Sequence, residues 1–466
     1  MQILPSYPAP GQDPGGLELA PFRGVRYAQD RVSGLAEVTS PPYDVIFEDK
    51  EDQLMAADPH NVVRLILPRP RPGRPGEEYH DAAMTLAHWL DEQILVTDRD
   101  PALYVYEQRT VAGRDAGALQ RGLIGAVRLT QPQDRIVLPH EGVYPGPVAG
   151  RLALMEAAQA NLEPIFLLYD GIGDPGSPGH PARMPPPGSP DPAVHPGAAA
   201  RIVAQTALHE PLVQAHTSDG MRHRLWAITD PGALAAIAAD LRPRQALIAD
   251  GHHRYAAYLK LQARRRSAGD GAGPWDYGLA LLVDSAAYPP LIGAIHRVVP
   301  GLDVHHAAKL AAAGFAARTL PGGTDDLTAA LRALAEASLA GPAFVLAGDQ
   351  HAYLIEEPAV EQVRAAMPAG RSPQWQALPA AVLQELLLTR LWELSDDEDA
   401  VRVVHHDAHA AVRIAQAAGG TAVLCMPMTP AEVYAVAARG EKVPHKSTSF
   451  APKPRTGLVL RSFAQG

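Results

Sequence analysis

From Gly171 to Gly197 the chain reads GIGDPGSPGHPARMPPPGSPDPAVHPG, and no stretch of it can form a helix interior or a central strand. Proline lacks the amide that both ladders need, and the glycines add freedom rather than order. Residues 171–198 therefore read as a flexible surface insertion between two structured halves. Residues 1–19, rich in Pro, Gly and polar residues without periodicity, read as a disordered lead-in. The expected division is a tail over 1–19, an N-terminal α/β domain over 20–170, the insertion, a segment over 199–300, and a C-terminal α/β domain over 301–466.

The 466 residues suffice for two or three domains with sizeable cores, and 47% hydrophobic against 20% charged residues is a globular balance. A net charge of −10 argues against duplex DNA or an anionic membrane as main partner. Cys425, the single cysteine, lies in the apolar run Ala422–Met426 and reads as a buried small hydrophobe. No run approaches eighteen apolar residues, and the first residues lack a signal-peptide pattern, so a cytoplasmic location is expected. The oligomeric state is not legible.

Apolar patterning alternates strands and helices, an α/β (α+β mixed) chain with mixed sheets and flanking helices. Strands are expected at 61–67, 103–108, 123–129, 164–169, 223–228, 246–249 and 277–283, with 103–108 and 123–129 paired as a hairpin. Helices are expected at 78–92, 148–160, 231–241 (Asp230 as N-cap) and 255–265. Beyond residue 300, helices fall near 304–313, 325–339, 359–367, 379–394 and 408–418, and strands near 343–347, 352–356, 401–404 and 421–426.

The strongest local signal is the strand Ala246–Ala249, then Asp250-Gly251-His252-His253-Arg254, then an amphipathic helix. Glycine at such a turn lets backbone approach a ligand, and the amides and dipole of a new helix attract an anion, most naturally phosphate. His252, His253 and Arg254 add donors at the same place. Asp250 could hold a divalent cation or accept a proton. Two plainer readings compete: a His-His metal pair, disfavoured because adjacent helical residues diverge, and Asp250 as a simple N-cap.

IADGHHRYAAYLK resembles the strand-to-helix turn of the ParB/sulfiredoxin-like superfamily, whose free-serine kinases carry a similar Asp-Gly-His turn. The resemblance implies a core of that type around residues 199–300 and a nucleotide ligand. From Pro21 to Phe463 the chain also resembles the domain of unknown function 1015 family. The stretches that carry this are Pro41–Val45, His60–Leu65, His140-Glu141, Pro164–Tyr169, His223–Trp226, the Asp250 turn, His296-Arg297 and Pro444–Thr448. It departs from the family after Glu141, where Gly142-Val143 replaces Arg-Thr, and at Ala294-Ile295, where Pro-Thr is usual.

Further candidates are spread along the chain. Lys446 beside Ser447 and Thr448 suits phosphate oxygens, without the glycines of a P-loop. His140 and Glu141 form a candidate acid/base pair, with Arg151 in the helix that follows. His296 and Arg297 close an apolar run as anion contacts. Asp44, after two prolines, could reach a metal, although an Asx turn explains it as well. His405, His406, Asp407 and His409 read as a solvated helix start, and Ser395–Asp399 as a solvated acidic turn. Arg264, Arg265 and Arg266 meet the negative end of a helix dipole.

Together these lead to a nucleotide- or phosphate-binding protein, in its most concrete form an ATP- or ADP-dependent small-molecule kinase using Mg2+. Asp250, His252, His253, His140 and Glu141 would be catalytic; Gly251, Arg254, His296, Arg297, Lys446, Ser447 and Thr448 would hold the ligand; Asp250 and Asp44 would hold metal. A phosphohydrolase on the same site and a nucleotide-sensing module without chemistry are the alternatives.

Overall fold

The structure is a computed structural model that describes residues 15–70, 73–74, 76–111, 117–171, 196–395 and 400–465. Residues 172–195 of the expected insertion, residues 396–399 of the acidic turn and the tail up to residue 14 lie outside them. Contacts divide the chain into two compact units, Met1–Pro290 with Pro452–Gly466, and Leu291–Ala451.

The strands of the first unit are β1 (Leu19–Ala20), β2 (Gly24–Tyr27), β3 (Leu95–Thr97), β4 (Leu103–Thr110), β5 (Leu119–Arg128), β6 (Val137–Leu138), β7 (Ala160–Asn161), β8 (Ile165–Tyr169), β9 (Val213–His216), β10 (Met221–Ile228), β11 (Ala246–Asp250) and β12 (Tyr277–Asp284). Its helices are α1 (Leu35–Val38), α2 (Glu48–Ala57), α3 (Val63–Ile66), α4 (Glu77–Asp91), α5 (Pro145–Ala158), α6 (Ala198–Thr206), α7 (Pro231–Leu241) and α8 (His252–Ser267). Among the described residues, one mixed sheet runs β6-β11-β8-β12-β5-β4-β10-β9, with β1 added on β5. β12 is parallel to β8 and β11 parallel to β6, while the other neighbours are antiparallel. Strands from both sides of the 171–198 insertion thus share one sheet. The expected segments 20–170 and 199–300 contribute to a single unit up to residue 290.

Helices α5 to α8 cover this sheet, burying Val148, Leu152, Val203, Ile237, Ala257 and Leu261 against Val105, Leu123, Leu167, Ile248 and Leu282. The last fifteen residues return here: strand Leu460–Ser462 pairs with β2 and β7. Its Arg461 is 2% exposed, with Nη1 donating to Asn161 Oδ1 at 3.0 Å and to the Tyr277 carbonyl at 3.1 Å.

Two expectations need correction. The β-branched run 61–67 is not a strand but contains the short helix α3, with Val63, Leu65 and Ile66 buried. Asn61 Oδ1 accepts from the Val63 amide at 2.9 Å and its Nδ2 donates to the Glu37 carbonyl at 2.6 Å, so a side chain starts the turn that propensity disfavours. The lead-in also ends early: Leu17 and Leu19 are buried, and Leu19 pairs with Val127. The β4–β5 hairpin forms as expected, and Asp230 caps α7 by accepting from the Ala233 amide.

The second unit has a six-stranded antiparallel sheet among its described residues, in the order Ala316–Thr319, His351–Glu356, Phe344–Gly348, Thr421–Leu424, Ile295–Val299, Arg402–His405. Alternate residues feed two cores. Phe344, Leu346 and Val423 pack on helix Val304–Ala311 and the π-helical segment Val382–Leu391, whereas Val345, Ala347 and Ala422 pack on helices Leu327–Ala337 and Ala408–Ala417. Asp407 caps the last of these helices, consistent with its reading as a helix start.

Candidate anion site at the start of helix α8

All five residues of β11 are buried, and its register with β8 shifts between Ile248 and Asp250. Asp250 still pairs with Phe166 past that irregularity, and the strand ends there. Gly251 then takes φ +93° and ψ +27°, a conformation that L side chains rarely adopt. A Cβ there would lie 2.9 Å from Ile165 Cγ2 and 3.1 Å from Arg254 Nε. Helix α8 starts immediately with no side-chain cap, which removes the reading of Asp250 as an N-cap.

Asp250 instead spends both oxygens on cations. Arg254 Nη2 donates to Oδ2 at 2.5 Å, and Lys453 Nζ lies 2.6 Å from Oδ1. The same ammonium donates to Asp44 Oδ2 at 2.6 Å. Burial pushes the Asp250 carboxyl up, but Lys453 and Arg254 outweigh it and hold the carboxyl below its ordinary range. Burial likewise lowers Lys453, and Asp250 with Asp44 raise it above an ordinary lysine. Arg254 Nη1 donates to the Pro164 carbonyl at 2.7 Å, while its buried Nε has no partner.

Beside this network, the Tyr43 amide donates to Glu163 Oε1 at 3.0 Å, and Arg151 Nη1 donates to Glu163 Oε2 at 3.3 Å. The Arg151 and Arg254 guanidinium carbons lie 4.2 and 5.8 Å from the Tyr43 ring centre. Three carboxylates (Asp44, Asp250, Glu163) thus face three cations (Lys453, Arg254, Arg151).

The histidines diverge, as adjacent helical residues must. His252 is buried and its Nε2 accepts from the His140 amide at 3.2 Å, with the two rings edge-to-face at 4.6 Å. His253 Nε2 accepts from the Tyr144 amide at 3.0 Å, and its ring is stacked on Tyr144 at 6.0 Å. A nitrogen that accepts from an amide carries no proton, so both imidazoles are neutral with Nδ1–H. Burial, more than any neighbouring charge, depresses the pKa of His253. It does the same to His140, where His252 adds to the effect. Glu141 completes the group, 3.8 Å from His140 Nε2 and 4.0 Å from His252 Nδ1.

The first unit therefore brings together Asp44, His140, Glu141, Asp250, Gly251, His252, His253 and Arg254. Sequence reasoning missed Lys453 and Glu163. The only signal for Lys453 was a lysine pinned between Pro452 and Pro454. His296, Arg297, Lys446, Ser447 and Thr448 lie in the second unit. There Arg297 Nη2 donates to the Lys446 carbonyl at 3.0 Å, Ser447 Oγ to the Pro444 carbonyl at 2.6 Å, and the Cys425 amide to His296 Nδ1 at 3.2 Å. Among the described residues no group of three or more His, Cys, Asp or Glu side chains is placed to hold a metal ion. The two carboxylates expected to do so, Asp44 and Asp250, share the Lys453 ammonium.

The fold is a mixed α/β one in which a strand-to-helix turn opens α8. The chain belongs to the family described as "Protein of unknown function (DUF1015)", which matches residues 19–174 and 193–381. No curated protein matches it. Solved structures similar to it include a free serine kinase in complex with AMP, at 14% identity and TM-score 0.33, covering 71% of this chain and 90% of that one. A conserved hypothetical protein from Pyrococcus furiosus is similar at 13% identity and TM-score 0.30, covering 68% and 87%. C-terminally truncated SbnI from Staphylococcus aureus is similar at 11% identity and TM-score 0.32, covering 71% and 84%. Among the described residues no helix is long and apolar enough to cross a membrane.

Proposed function

We propose that the start of α8 binds a phosphate group of a nucleotide, ATP or ADP, and that the protein passes a phosphoryl group from it to a small-molecule acceptor. The observation that carries this reading is the uncapped helix start behind Gly251, flanked by Lys453 and Arg254. With Glu141 counted, four carboxylates face three cations, so the positive potential offered to a phosphate comes from the helix dipole and the first-turn amides. His253 Nδ1–H and the Lys453 ammonium are the side-chain donors this reading assigns to such a phosphate.

Both oxygens of Asp250 are already engaged by Arg254 and Lys453, which makes it a poorer base and Mg2+ contact in this reading. Glu141, partly exposed beside His140 and His252, is the better general base, and Asp44, which gives Lys453 one oxygen, the better Mg2+ contact. A phosphohydrolase would use the same cradle with water as acceptor, and a nucleotide sensor would bind without turnover.

Thermal shifts with ATP, ADP, AMP and pyrophosphate, with and without Mg2+, test binding, followed by assays of ADP and phosphate release. A nucleotide-dependent rise in melting temperature that is lost in Lys453→Met is expected. Glu141→Gln should keep the shift and lose turnover. No shift with any of these compounds would end the proposal, and binding without turnover would leave the sensor.

A further inference from the structure

Away from α8, on one face of the same sheet, β5, β4, β10 and β9 line up three rows of side chains. The first row is apolar and belongs to the core: Leu123, Val105 and Trp226. The next is Arg121, Glu107, Arg224 and Gln214. Glu107 is fully buried; Arg121 Nε donates to its Oε2 at 3.0 Å and Arg224 Nε to its Oε1 at 2.8 Å. One carboxylate therefore already serves two guanidiniums.

The outermost row is Leu119, Arg109, Arg222 and His216. Arg109 and Arg222 stand directly opposite each other on neighbouring strands, an arrangement in which like charges repel. Arg222 reaches only the shared Glu107, at 3.7 Å, and Arg109 has no acidic partner among the described residues. The Nε atoms of both are buried without a hydrogen-bond partner. Asp284, which lines the same small cavity as Arg121, is taken up by the amides of Gly171 at 3.0 Å and Ala286 at 2.9 Å. Among the described residues, four arginines on this face thus share one glutamate.

We propose that Arg109, Arg222, Arg224 and Arg121 form a second anion site, for a compact phosphate-type polyanion of at least two charges. Fork-shaped donors match phosphate oxygens in bidentate fashion, and the half-buried guanidiniums of Arg109 and Arg222, poorly supplied with acids, are the donors offered to such a ligand. Strand spacing and residue rise give the four-arginine patch, which spans three strands, a footprint of roughly 10 by 7 Å, room for two linked phosphoryl groups. The patch is centred four strands from β11, about 19 Å at ordinary strand spacing, so it is separate from the turn at Gly251.

Calorimetric titration with sodium pyrophosphate at constant ionic strength tests the site. Arg109→Ala/Arg222→Ala should weaken or delete one binding step at least tenfold, while Arg201→Ala, an exposed arginine on α6, should bind as the wild type does. Because the double variant relieves a like-charge pair, its melting temperature should hold or rise. Arg109→Ala alone, which breaks no ion pair among the described residues, gives the same readout should the double variant fail to fold. Absence of pyrophosphate binding by the wild type, unchanged binding in the arginine variants, or an equal loss in Arg201→Ala would each overturn the proposal.

Discussion

Lys453 Nζ lies 2.6 Å from Asp250 Oδ1 and 2.6 Å from Asp44 Oδ2, so one ammonium from the chain's last fifteen residues joins the turn before α8 to the turn at residue 44. Lys453→Met leaves Asp250 buried with Arg254 alone and is expected to cost about 3 kcal/mol in urea denaturation. Asp250→Asn in the same chain should recover part of that loss, and additive losses would contradict the coupling. Because the folded carboxyl titrates below its ordinary value, its contribution is complete above about pH 4 and fades on further acidification.

Gly251→Ala meets both a left-handed backbone and Ile165 Cγ2 at 2.9 Å. A loss of about 2 kcal/mol is expected in thermal or chemical melts. Gly269→Ala, at φ +87° with nothing within 4 Å of the added methyl, should lose less. Equal losses would mean that backbone strain alone, not the close approach of β8, selects glycine at 251.

His223 is buried between Tyr106, whose hydroxyl lies 2.8 Å from Nδ1, and Thr217, 3.2 Å from Nε2. Burial, helped by Arg455, lowers its pKa to about 3. The unfolded chain therefore takes up this proton first. The stability that His223 contributes is present above about pH 6.5 and drains as pH falls toward 3. Unfolding free energies at pH 7.5, 5.5 and 4.5 should decline more steeply for the wild type than for His223→Gln.

Residues 452–466 complete the first unit. Arg455 Nε donates to Thr39 Oγ1 at 2.6 Å, and Leu460 pairs with Val25. Truncation after Ala451 should abolish cooperative unfolding of that unit. Residues 291–451, the second unit, whose two cores draw on its own residues alone, should fold when expressed separately. Dispersed amide NMR spectra of the fragment check this, and a collapsed spectrum would refute it.

Cys425 is 8% exposed, and burial pushes its thiol up to about 12. The native protein should show no fast thiol reaction with an aromatic disulfide reagent at pH 8, and one thiol after denaturation. Prompt labelling of the native chain would place Cys425 at an accessible surface.

Much of the secondary structure was legible from periodicity, because the core selects side chains every second residue in strands and every three to four in helices. The error at Asn61–Leu67 had a local cause: a short apolar run has no distinguishing period, and one asparagine side chain decided it. The link between His140-Glu141 and the Asp250 turn was not legible, since it depends on β6 lying beside β11.

By itself the sequence determined the Asp250–Arg254 turn, its glycine and the helix behind it, since these follow from neighbours along the chain. Only tertiary structure decided what the turn's side chains do. It gave Asp250 to Lys453 and Arg254, made His252 and His253 acceptors of distant amides, and placed Arg109 opposite Arg222. Charges and hydrogen bonds act across space, so their pairing is set by sheet order and register, which no local pattern carries.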